Sequence, residues 1–256
     1  MRSISNILRK HRRVLGSIAL ALAVAAIFWA VNSPAVVGAS AASRELPIYS
    51  VKRDNKCVSL TFDAAWGNED TEELIDILSR YGVRATFFLV GQWVDKYPES
   101  VKALHDAGME LANHSDTHPH MASLDAAAIE AEIGSCSAKL EALTGESPAL
   151  FRCPYGEYDD EVITTVNGMG MVPIQWNVDS LDWKGIGAQE ICRRVTSNVV
   201  PGSIVLFHNA AEHTPEALAD IIEYLLSEGY ELVPVSELLL TGEYAIDNTG
   251  MMCAAE

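Results

Sequence analysis

The fold is decided by the stretch CVSLTFDAAWGNEDTEELIDILSRYGVRATFFLV, residues 57–90. Two runs rich in β-branched and aromatic residues, CVSLTFD and RATFFLV, stand on either side of the helical segment EDTEELIDILSRYG. The spacing of Leu74 and Leu78 places both side chains on one helix face, and Gly82 is a typical helix stop. The stretch therefore predicts a strand, a helix and a second strand that runs parallel to the first.

The same alternation continues through the rest of the chain. Five more strand-like runs follow, MELAN, LFRCP, MVPIQWNV, SIVLFH and ELVPV, with helical segments such as TPEALADIIEYLLSEG between them. Because these strands are apolar on both faces, we expect an α/β fold with a parallel sheet covered by helices, either open and doubly wound or closed as a barrel. The first strand is not followed by GxGxxG, and no phosphate loop occurs, which disfavours a nucleotide-binding sheet.

Charge and cysteine usage exclude several classes of function. The first 31 residues hold five basic and no acidic residues, so the remainder carries 13 basic against 35 acidic residues and a net charge of −22. A body this acidic repels nucleic acid and anionic lipid, and we expect neither as a partner. The five cysteines form no CxxC pair, which leaves a zinc-finger or thioredoxin-type site without support.

The N-terminal region predicts export. Val14–Val31 is an uncharged apolar run which, as a helix of about 27 Å, could cross a bilayer, with the preceding basic residues in the cytoplasm and the rest of the chain outside. Its length favours a single-pass membrane anchor over a signal peptide cleaved near GASAAS at 38–43, which would give a secreted protein. The expected organisation is a basic segment with a transmembrane or signal helix at 1–31, a linker at 32–55, the main domain at 56–240 and a flexible tail at 241–256.

Reactive side chains collect where the predicted strands end. Asp63 ends the first strand, His114 lies just past the third, and Arg152 closes the fourth. Asp182 follows the fifth strand, and His208 closes the sixth. Parallel strands bring their carboxyl ends to one rim, where α/β folds build their sites, so the pattern predicts a single convergent site.

The motif HSDTHPH, residues 114–120, is the candidate metal site. His114 and His118 are four apart, a spacing that places both imidazoles on one face of a helical turn, within reach of one ion. The alternative is a polar loop with unliganded histidines. A metalloprotease HExxH site is disfavoured, since Ser115 stands where glutamate would be needed.

The other rim residues also allow two interpretations each. Asp63 is either a buried structural acceptor or a functional acid or base. Arg152 is either a structural ion-pair partner or the group that orients a catalytic carboxylate. His208 could be structural, but a partner such as Asp182 would make it a competent general acid.

Five motifs in order resemble the polysaccharide deacetylase family, also called carbohydrate esterase family 4. They are TFD (61–63), HSDTH (114–118), RCPYG (152–156), DSLDW (179–183) and LFH (206–208). The resemblance covers about residues 55–240 and is nearest to membrane-associated peptidoglycan or chitin deacetylases of spore-forming bacteria. It implies a distorted (β/α)7-8 barrel and hydrolysis of N-acetyl groups from a cell-wall glycan, with a role in sporulation.

The resemblance also implies a role for each site residue. His114 and His118 would hold a divalent metal, zinc by preference or else cobalt or manganese, while Asp63 would be the catalytic base and Arg152 would orient it. The Tyr155 N–H would stabilise the oxyanion. His208 would be the general acid, with Asp182 raising its basicity. The groove for the sugar and its acetyl methyl would be lined by Trp176, Trp183 and Leu206.

One position departs from the family pattern. The family motif reads TFDD, and its second aspartate is the third metal ligand, but this chain has Ala64 there. Asp63 would have to move onto the metal, or a residue of the segment 68–70 (Asn68, Glu69, Asp70) would have to fold back. The alternative function is a wall-glycan-binding protein with little or no catalysis, and a third hypothesis is a metal hydrolase of another amide or ester.

Overall fold

Strands and helices alternate along the chain in the computed structural model, which describes residues 44–255. The strands are β1 (Ser50–Val51), β2 (Cys57–Ala64), β3 (Thr86–Leu89), β4 (Glu110–Asn113), β5 (Leu150–Phe151), β6 (Val172–Pro173), β7 (Val178–Asp179), β8 (Ile204–His208), β9 (Glu231–Leu232), β10 (Tyr244–Ile246) and β11 (Met251–Ala254). The helices are α1 (Thr71–Arg80), α2 (Gly91–Lys96), α3 (Pro98–Asp106), α4 (Ala126–Thr144), α5 (Asp160–Gly168), α6 (Ala188–Asn198), α7 (Thr214–Ser227) and α8 (Val235–Leu238).

The main sheet is parallel and has the order β6-β5-β4-β3-β2-β8-β7, with β9 paired to the start of β2. At its centre, Asp63 of β2 is in register with Phe88 of β3 on one side and with His208 of β8 on the other. The sheet curls into a half-barrel whose edges are β6 and β7. The predicted α/β fold is confirmed, and the predicted barrel is observed as this open, curled form.

The stretch at residues 57–90 folds as predicted: β2, α1 and β3 follow one another, and β2 pairs in parallel with β3. Leu74 and Leu78 of α1 are fully buried against the sheet. Phe62 of β2 stacks between Phe87 and Phe207 of the neighbouring strands, with ring centroids 4.8 Å and 5.3 Å away. Such aromatic pairs add about 0.5–1.5 kcal/mol each beyond the free energy gained by burying their surface. These contacts therefore stabilise the central strands of the sheet.

The predicted fifth strand, MVPIQWNV, is corrected by the structure. Only its two ends are extended in the sheet, as β6 and β7, and these strands lie at opposite edges. The segment between them crosses from one edge to the other, and Gln175 donates its backbone N–H to Ile48 at 2.7 Å on the way. An apolar run in the sequence does not show whether it forms one buried strand or two short strands joined by a buried connection.

The boundaries of the predicted domain are also corrected. Ile48 and β1 lie in the fold, where Ile48 bridges Ile174 and the β1 residue Val51 is fully buried, so the predicted linker to residue 55 ends earlier. The predicted flexible tail instead forms the hairpin β10–β11, and β11 pairs in parallel with β1. The segment is ordered because Met252 is buried beside β1, and this burial fixes the register in which β11 pairs with β1.

The predicted membrane or signal helix at 1–31 lies outside the described residues. Within residues 44–255, no helix combines the length and apolar character needed to span a bilayer. All five cysteines fall inside this range, and each is a free thiol.

Candidate active site

A cleft of about 490 Å3 opens at the carboxyl ends of the central strands. Eight of the ten predicted site residues line it, namely Asp63, His114, His118, Tyr155, Trp176, Trp183, Leu206 and His208. The other two, Arg152 and Asp182, are buried and contact residues of the cleft wall. The structure therefore brings the predicted set together at one rim, while the role of each residue remains a prediction.

Asp63 and Arg152 form a buried ion pair at the bottom of the cleft. The Arg152 Nη1 donates to Asp63 Oδ1 at 2.7 Å and to the Thr61 hydroxyl at 2.9 Å, and its Nη2 donates to the Gln175 carbonyl at 3.1 Å. The guanidinium is also 4.0 Å from the centre of the Phe88 ring. Burial by itself would raise the pKa of Asp63, but the charge and hydrogen bond of Arg152, together with the nearby His114 and His208, outweigh burial and hold that pKa below its usual value. Asp63 is therefore an ionised carboxylate with a fixed direction.

His208 and Asp182 form a second pair across the cleft. The His208 Nδ1 lies 2.8 Å from Asp182 Oδ1, and since a carboxylate only accepts, Nδ1 carries the proton. Asp182 also accepts from the His208 backbone N–H at 2.7 Å and from the Thr214 hydroxyl at 2.7 Å. Burial alone would lower the pKa of His208, but the hydrogen bond and charge of Asp182 outweigh it and raise that pKa. The ring is therefore poised to be protonated and to donate.

The two motif histidines meet through a loop, and the prediction of a helical turn is wrong. Ser115 and His118 have positive φ values of 66° and 59°, which a helix does not allow, yet the His114 and His118 ring centroids are 4.9 Å apart. The loop is braced by Asn113, whose side chain accepts from the Ser115 N–H at 2.8 Å, and by Glu132, which accepts from the Thr117 N–H at 2.8 Å. These side-chain contacts replace the backbone pairing that a helix would supply.

Both imidazoles fit the chemistry of metal ligands. The His114 Nδ1 lies 2.8 Å from the Arg152 carbonyl, so it must carry the proton and leaves Nε2 with a free lone pair. Burial lowers the pKa of His114, and it lowers the pKa of His118 to about 4, so both rings are neutral near pH 7. Neutral imidazoles are ligands that suit zinc, and these two would fill two of its coordination positions.

Among the residues that the structure describes, no third side chain completes this donor set. Within residues 44–255, no group of three or more histidine, cysteine, aspartate and glutamate side chains is arranged to hold an ion. Ala64 is buried in the apolar core. Asn68 donates to the Ser100 hydroxyl at 2.9 Å, and Asp70 accepts from the Ala210 N–H at 2.8 Å, so neither is turned toward the two histidines. Asp63 is the nearest carboxylate, with Oδ2 3.5 Å from His114 Nε2.

Tyr155 forms one side of the cleft mouth and has a strained backbone. Its φ is 60°, and its side chain is 57% exposed. The phenol ring lies between the rings of His118 and His120, each 4.5 Å away, and His120 is paired with Glu157 at 2.7 Å. Among the described residues, no acceptor takes the Tyr155 N–H, so this donor is available to a ligand in the cleft.

Four residues of the cleft wall, Ala65, Trp66, Gly156 and Asp179, were not predicted from the sequence as site residues, and Trp66 has the largest side chain of the four. Its indole is 53% exposed and stacks on the His208 imidazole, with ring centroids 5.4 Å apart and planes at 19°. A signal was present, since Trp66 follows Asp63 by three positions and so leaves β2 at the same rim. His120, to which the sequence analysis assigns no role, stacks on Tyr155 in the structure.

Comparison with protein families identifies relatives of this chain. Residues 50–174 match the family model described as polysaccharide deacetylase. The chain is 32% identical over 190 residues to the peptidoglycan-N-acetylglucosamine deacetylase of Bacillus cereus, covering 73% of this chain and 69% of that protein. It is 33% identical to the uncharacterized protein YlxY of Bacillus subtilis, covering 75% of this chain but only 60% of that relative's length.

Comparison with solved structures finds the same architecture. A wild-type CE4 family pseudoenzyme from Bacillus anthracis matches with a TM-score of 0.73 and 37% identity, covering 75% of this chain and 68% of that one. A mutant of that pseudoenzyme with restored enzymatic activity matches with the same TM-score and 38% identity, covering 75% of this chain and 70% of that one.

Proposed function

The chain belongs to the polysaccharide deacetylase family, and from this premise we propose that it hydrolyses N-acetyl groups of a cell-wall polysaccharide. The substrate is peptidoglycan or a similar polymer of N-acetylglucosamine. The proposal is carried by one observation: Asp63, fixed by Arg152, and His208, fixed by Asp182, both line one cleft. Amide hydrolysis needs a base for the attacking water and a proton for the departing amine, and these two groups meet both needs.

Asp63 acts as the base. Its carboxylate is ionised because Arg152 stabilises the charge, and the hydrogen bond to Oδ1 leaves Oδ2 directed toward the cleft side of His114. Asp63 accepts a proton from water while the water oxygen forms a bond to the acetyl carbonyl carbon. Because the carboxylate is held by a buried guanidinium, it needs no reorientation when the reaction begins.

His208 acts as the acid. Asp182 fixes Nδ1–H, so Nε2 on the far edge of the ring is the atom that faces the reacting amide. The carbon–nitrogen bond breaks as Nε2 gives its proton to the sugar nitrogen, which leaves as an amine while acetate remains. The raised pKa of His208 keeps its imidazole protonated at a pH where the Asp63 carboxylate is ionised. The protein can therefore hold a protonated acid and a deprotonated base at the same time.

The Tyr155 N–H stabilises the charge that develops on the acetyl oxygen. A backbone donor held rigidly at a positive φ is oriented before substrate arrives, which is the condition for effective oxyanion stabilisation. The stacking of Tyr155 against His118 and His120 holds this segment of the backbone in place.

His114 and His118 would hold the divalent metal, which when bound polarises the carbonyl and lowers the pKa of water. The Arg152 carbonyl contributes by fixing the proton of His114 on Nδ1, so that Nε2 remains a lone-pair donor.

The aromatic walls suit a sugar ring. Trp176 and Trp183 present apolar faces to the cleft, and Leu206 of β8 also lines it. Sugar rings expose apolar C–H faces that pack on indole rings, while the acetyl methyl fills a small apolar space. This lining supports an N-acetylated sugar as the substrate.

Acetate release from N-acetylglucosamine oligomers, with and without added zinc, cobalt or manganese, tests the proposal. We expect metal-stimulated release by the wild-type protein and a loss on the order of a hundredfold or more in His208→Ala. His105→Ala, which changes a histidine outside the cleft, is the matched control and should retain full activity. No acetate release under any metal would overturn the proposal.

A second function is a wall-glycan-binding protein with little or no catalysis. Two observations favour it: Ala64 replaces a ligand of the family motif, and a CE4 pseudoenzyme is among the structural neighbours. Binding of N-acetylglucosamine oligomers by isothermal titration, together with absent acetate release, would establish it. Release of acetate by the wild-type protein rules it out.

We infer that the enzyme acts outside the cytoplasm, because its substrate is a wall polymer and Val14–Val31 is an uncharged apolar run behind a basic segment. Fractionation of cells that produce the full chain tests this inference. We expect the protein in the membrane fraction or the medium, and recovery in the cytosolic fraction alone would contradict export.

A further inference from the structure

Trp66 lies where the loop after β2 passes the end of β8. Its indole ring stacks against one face of the His208 imidazole, with centroids 5.4 Å apart and an angle of 19° between the planes. Near-parallel rings at this distance are stacked with an offset, so that the two rings overlap in part. About half of the Trp66 side chain remains open to solvent at the cleft mouth.

Asn209, the residue after His208, fixes the loop that carries Trp66. Its side-chain oxygen accepts from the Ala65 N–H at 3.3 Å, and its amide nitrogen donates to the Gly67 carbonyl. Trp93 adds a second hydrogen bond to the same Gly67 carbonyl, at 2.8 Å. Both neighbours of Trp66 are thus tied to the buried side chain of Asn209, so the indole has a defined position beside the imidazole.

The remaining contacts of His208 leave one motion unrestrained. Asp182 holds the ring at Nδ1, which fixes one edge, but a single hydrogen bond in the ring plane still allows the ring to tilt out of that plane. A flat group against the face of the ring opposes this tilt. Trp66 is the aromatic group that stacks on His208 among the described residues.

We propose that Trp66 is a positioning residue for His208: its indole holds the imidazole plane so that Nε2 points at the nitrogen of the scissile amide. This inference rests on the proposed deacetylase function. Trp66 acts through His208 and takes no part in proton transfer itself. It should therefore affect the rate of the bound reaction more than the affinity for glycan.

Kinetics of Trp66→Ala and Trp66→Phe test the proposal. We expect Trp66→Ala to lower kcat on the order of tenfold with KM changed less than about twofold, since misalignment of an acid costs rate in the bound complex. Trp66→Phe keeps a flat ring and should recover most of kcat. Trp183→Ala removes a similarly exposed indole of the same cleft and should raise KM instead. A raised KM with unchanged kcat in Trp66→Ala, or wild-type values of both, would overturn the proposal.

A measurement without substrate separates this inference from the proposed function. The ring current of Trp66 shifts the carbon-bound protons of the His208 imidazole, and we expect these NMR signals to move in Trp66→Leu while those of His105 stay in place. Unmoved His208 signals would overturn the positioning role even in an active enzyme. If the wild-type protein releases no acetate while the signals do move, the proposed function fails and the packing of Trp66 on His208 stands.

Discussion

Arg152 is the residue on which the buried charges of the site depend. Its side chain is fully buried, and it faces the nearly buried carboxylate of Asp63 at 2.7 Å. A charge in the protein interior is tolerated only when it is paired and hydrogen bonded, because it has lost its contact with water. Arg152 therefore has two roles, since it directs the predicted base and it makes that base compatible with a folded core.

Arg152→Met should destabilise the protein by about 3–5 kcal/mol, because it leaves the Asp63 carboxylate buried without a partner. Urea unfolding followed by circular dichroism measures this change. The double variant Arg152→Met with Asp63→Asn should recover part of the lost stability, since the orphaned charge is gone. Arg193→Ala, which removes an exposed partner of Glu190, should leave the unfolding midpoint unchanged. Equal effects of the two arginine substitutions would contradict the argument.

Asp182→Asn should shift the alkaline side of the pH–activity profile. Burial alone would lower the pKa of His208, and Asp182 reverses that effect, so removing the carboxylate lets burial prevail. The acid then loses its proton at lower pH, and the alkaline fall of kcat/KM moves toward acidic pH. Asp179→Asn removes a weaker influence on the same ring and should move that limb less. An alkaline limb that does not move in Asp182→Asn would show that His208 is not the acid.

At the residue scale, the sequence predicts that these polar side chains converge, because each of them lies at the end of an apolar strand. Asp63, Arg152 and His208 each follow a run that had to be buried, so their position at one rim could be predicted. Trp66 could not be placed in the same way, because its contact with His208 depends on the loop path that Asn209 sets from another strand. The sequence also could not show whether Asn68 or Asp70 replaces the ligand missing at Ala64. In the structure both side chains are engaged in other hydrogen bonds.

At the scale of elements, a glycine allows β1 to pack closely against the turn before β8. Gly202 has a φ of 83°, and a Cβ atom on it would lie 1.6 Å from the Val51 carbonyl oxygen. The Val51 N–H also donates to the Gly202 carbonyl at 2.9 Å. Only glycine allows both the left-handed backbone and this close approach of two chain segments.

Gly202→Ala should destabilise the protein by at least about 1–2 kcal/mol, because alanine strains the left-handed backbone and its methyl displaces Val51. Thermal unfolding and hydrogen exchange at Val51 measure the effect. Gly134→Ala is the control, since Gly134 lies in helix α4 with open space around it, and that change should stabilise the helix by about 0.5–1 kcal/mol. If Gly202→Ala left the stability unchanged, β1 would be able to shift away from the turn without a loss of stability.

The elements that the sequence predicted correctly are those with their own periodic pattern. Strand β2, helix α1 and strand β3 have clear apolar spacing, and they form as expected. The hairpin β10–β11 was predicted as a tail because its partner, β1, comes from the opposite end of the described chain. Local pattern carries no information about a pairing this distant, and the same limit explains the split of MVPIQWNV into β6 and β7.

At the scale of the whole molecule, binding of an ion adds to the stability of the fold, since a ligand that binds only the native state stabilises it. With two histidines as protein ligands, the wild-type chain should gain little from zinc. A third ligand at position 64, where the family motif has aspartate, should increase this gain. Ala64 lies in the core beside the cleft, so a carboxylate there has no compensating charge unless a cation is bound.

Ala64→Asp should lower Tm in the presence of a chelator and raise it on addition of zinc by more than the wild-type protein gains. A hundredfold excess of zinc over its Kd corresponds to about 2.7 kcal/mol of added stability. Ala85→Asp places the same group in the same core cluster, immediately before β3, and its Tm should fall without a response to zinc. Equal zinc responses of Ala64→Asp and the wild-type protein would refute a ligand role for position 64.

The pairing of β1 with β11 has a consequence for the order in which the protein is assembled. Ser50 emerges from the ribosome early, but its partner Met251 is made only after the whole sheet has been synthesised. Until then β1 lacks its partner strand β11, and the apolar face that Met252 covers is exposed to water. A nascent chain halted before residue 251 would therefore be a target for chaperones and proteases until β11 has been added.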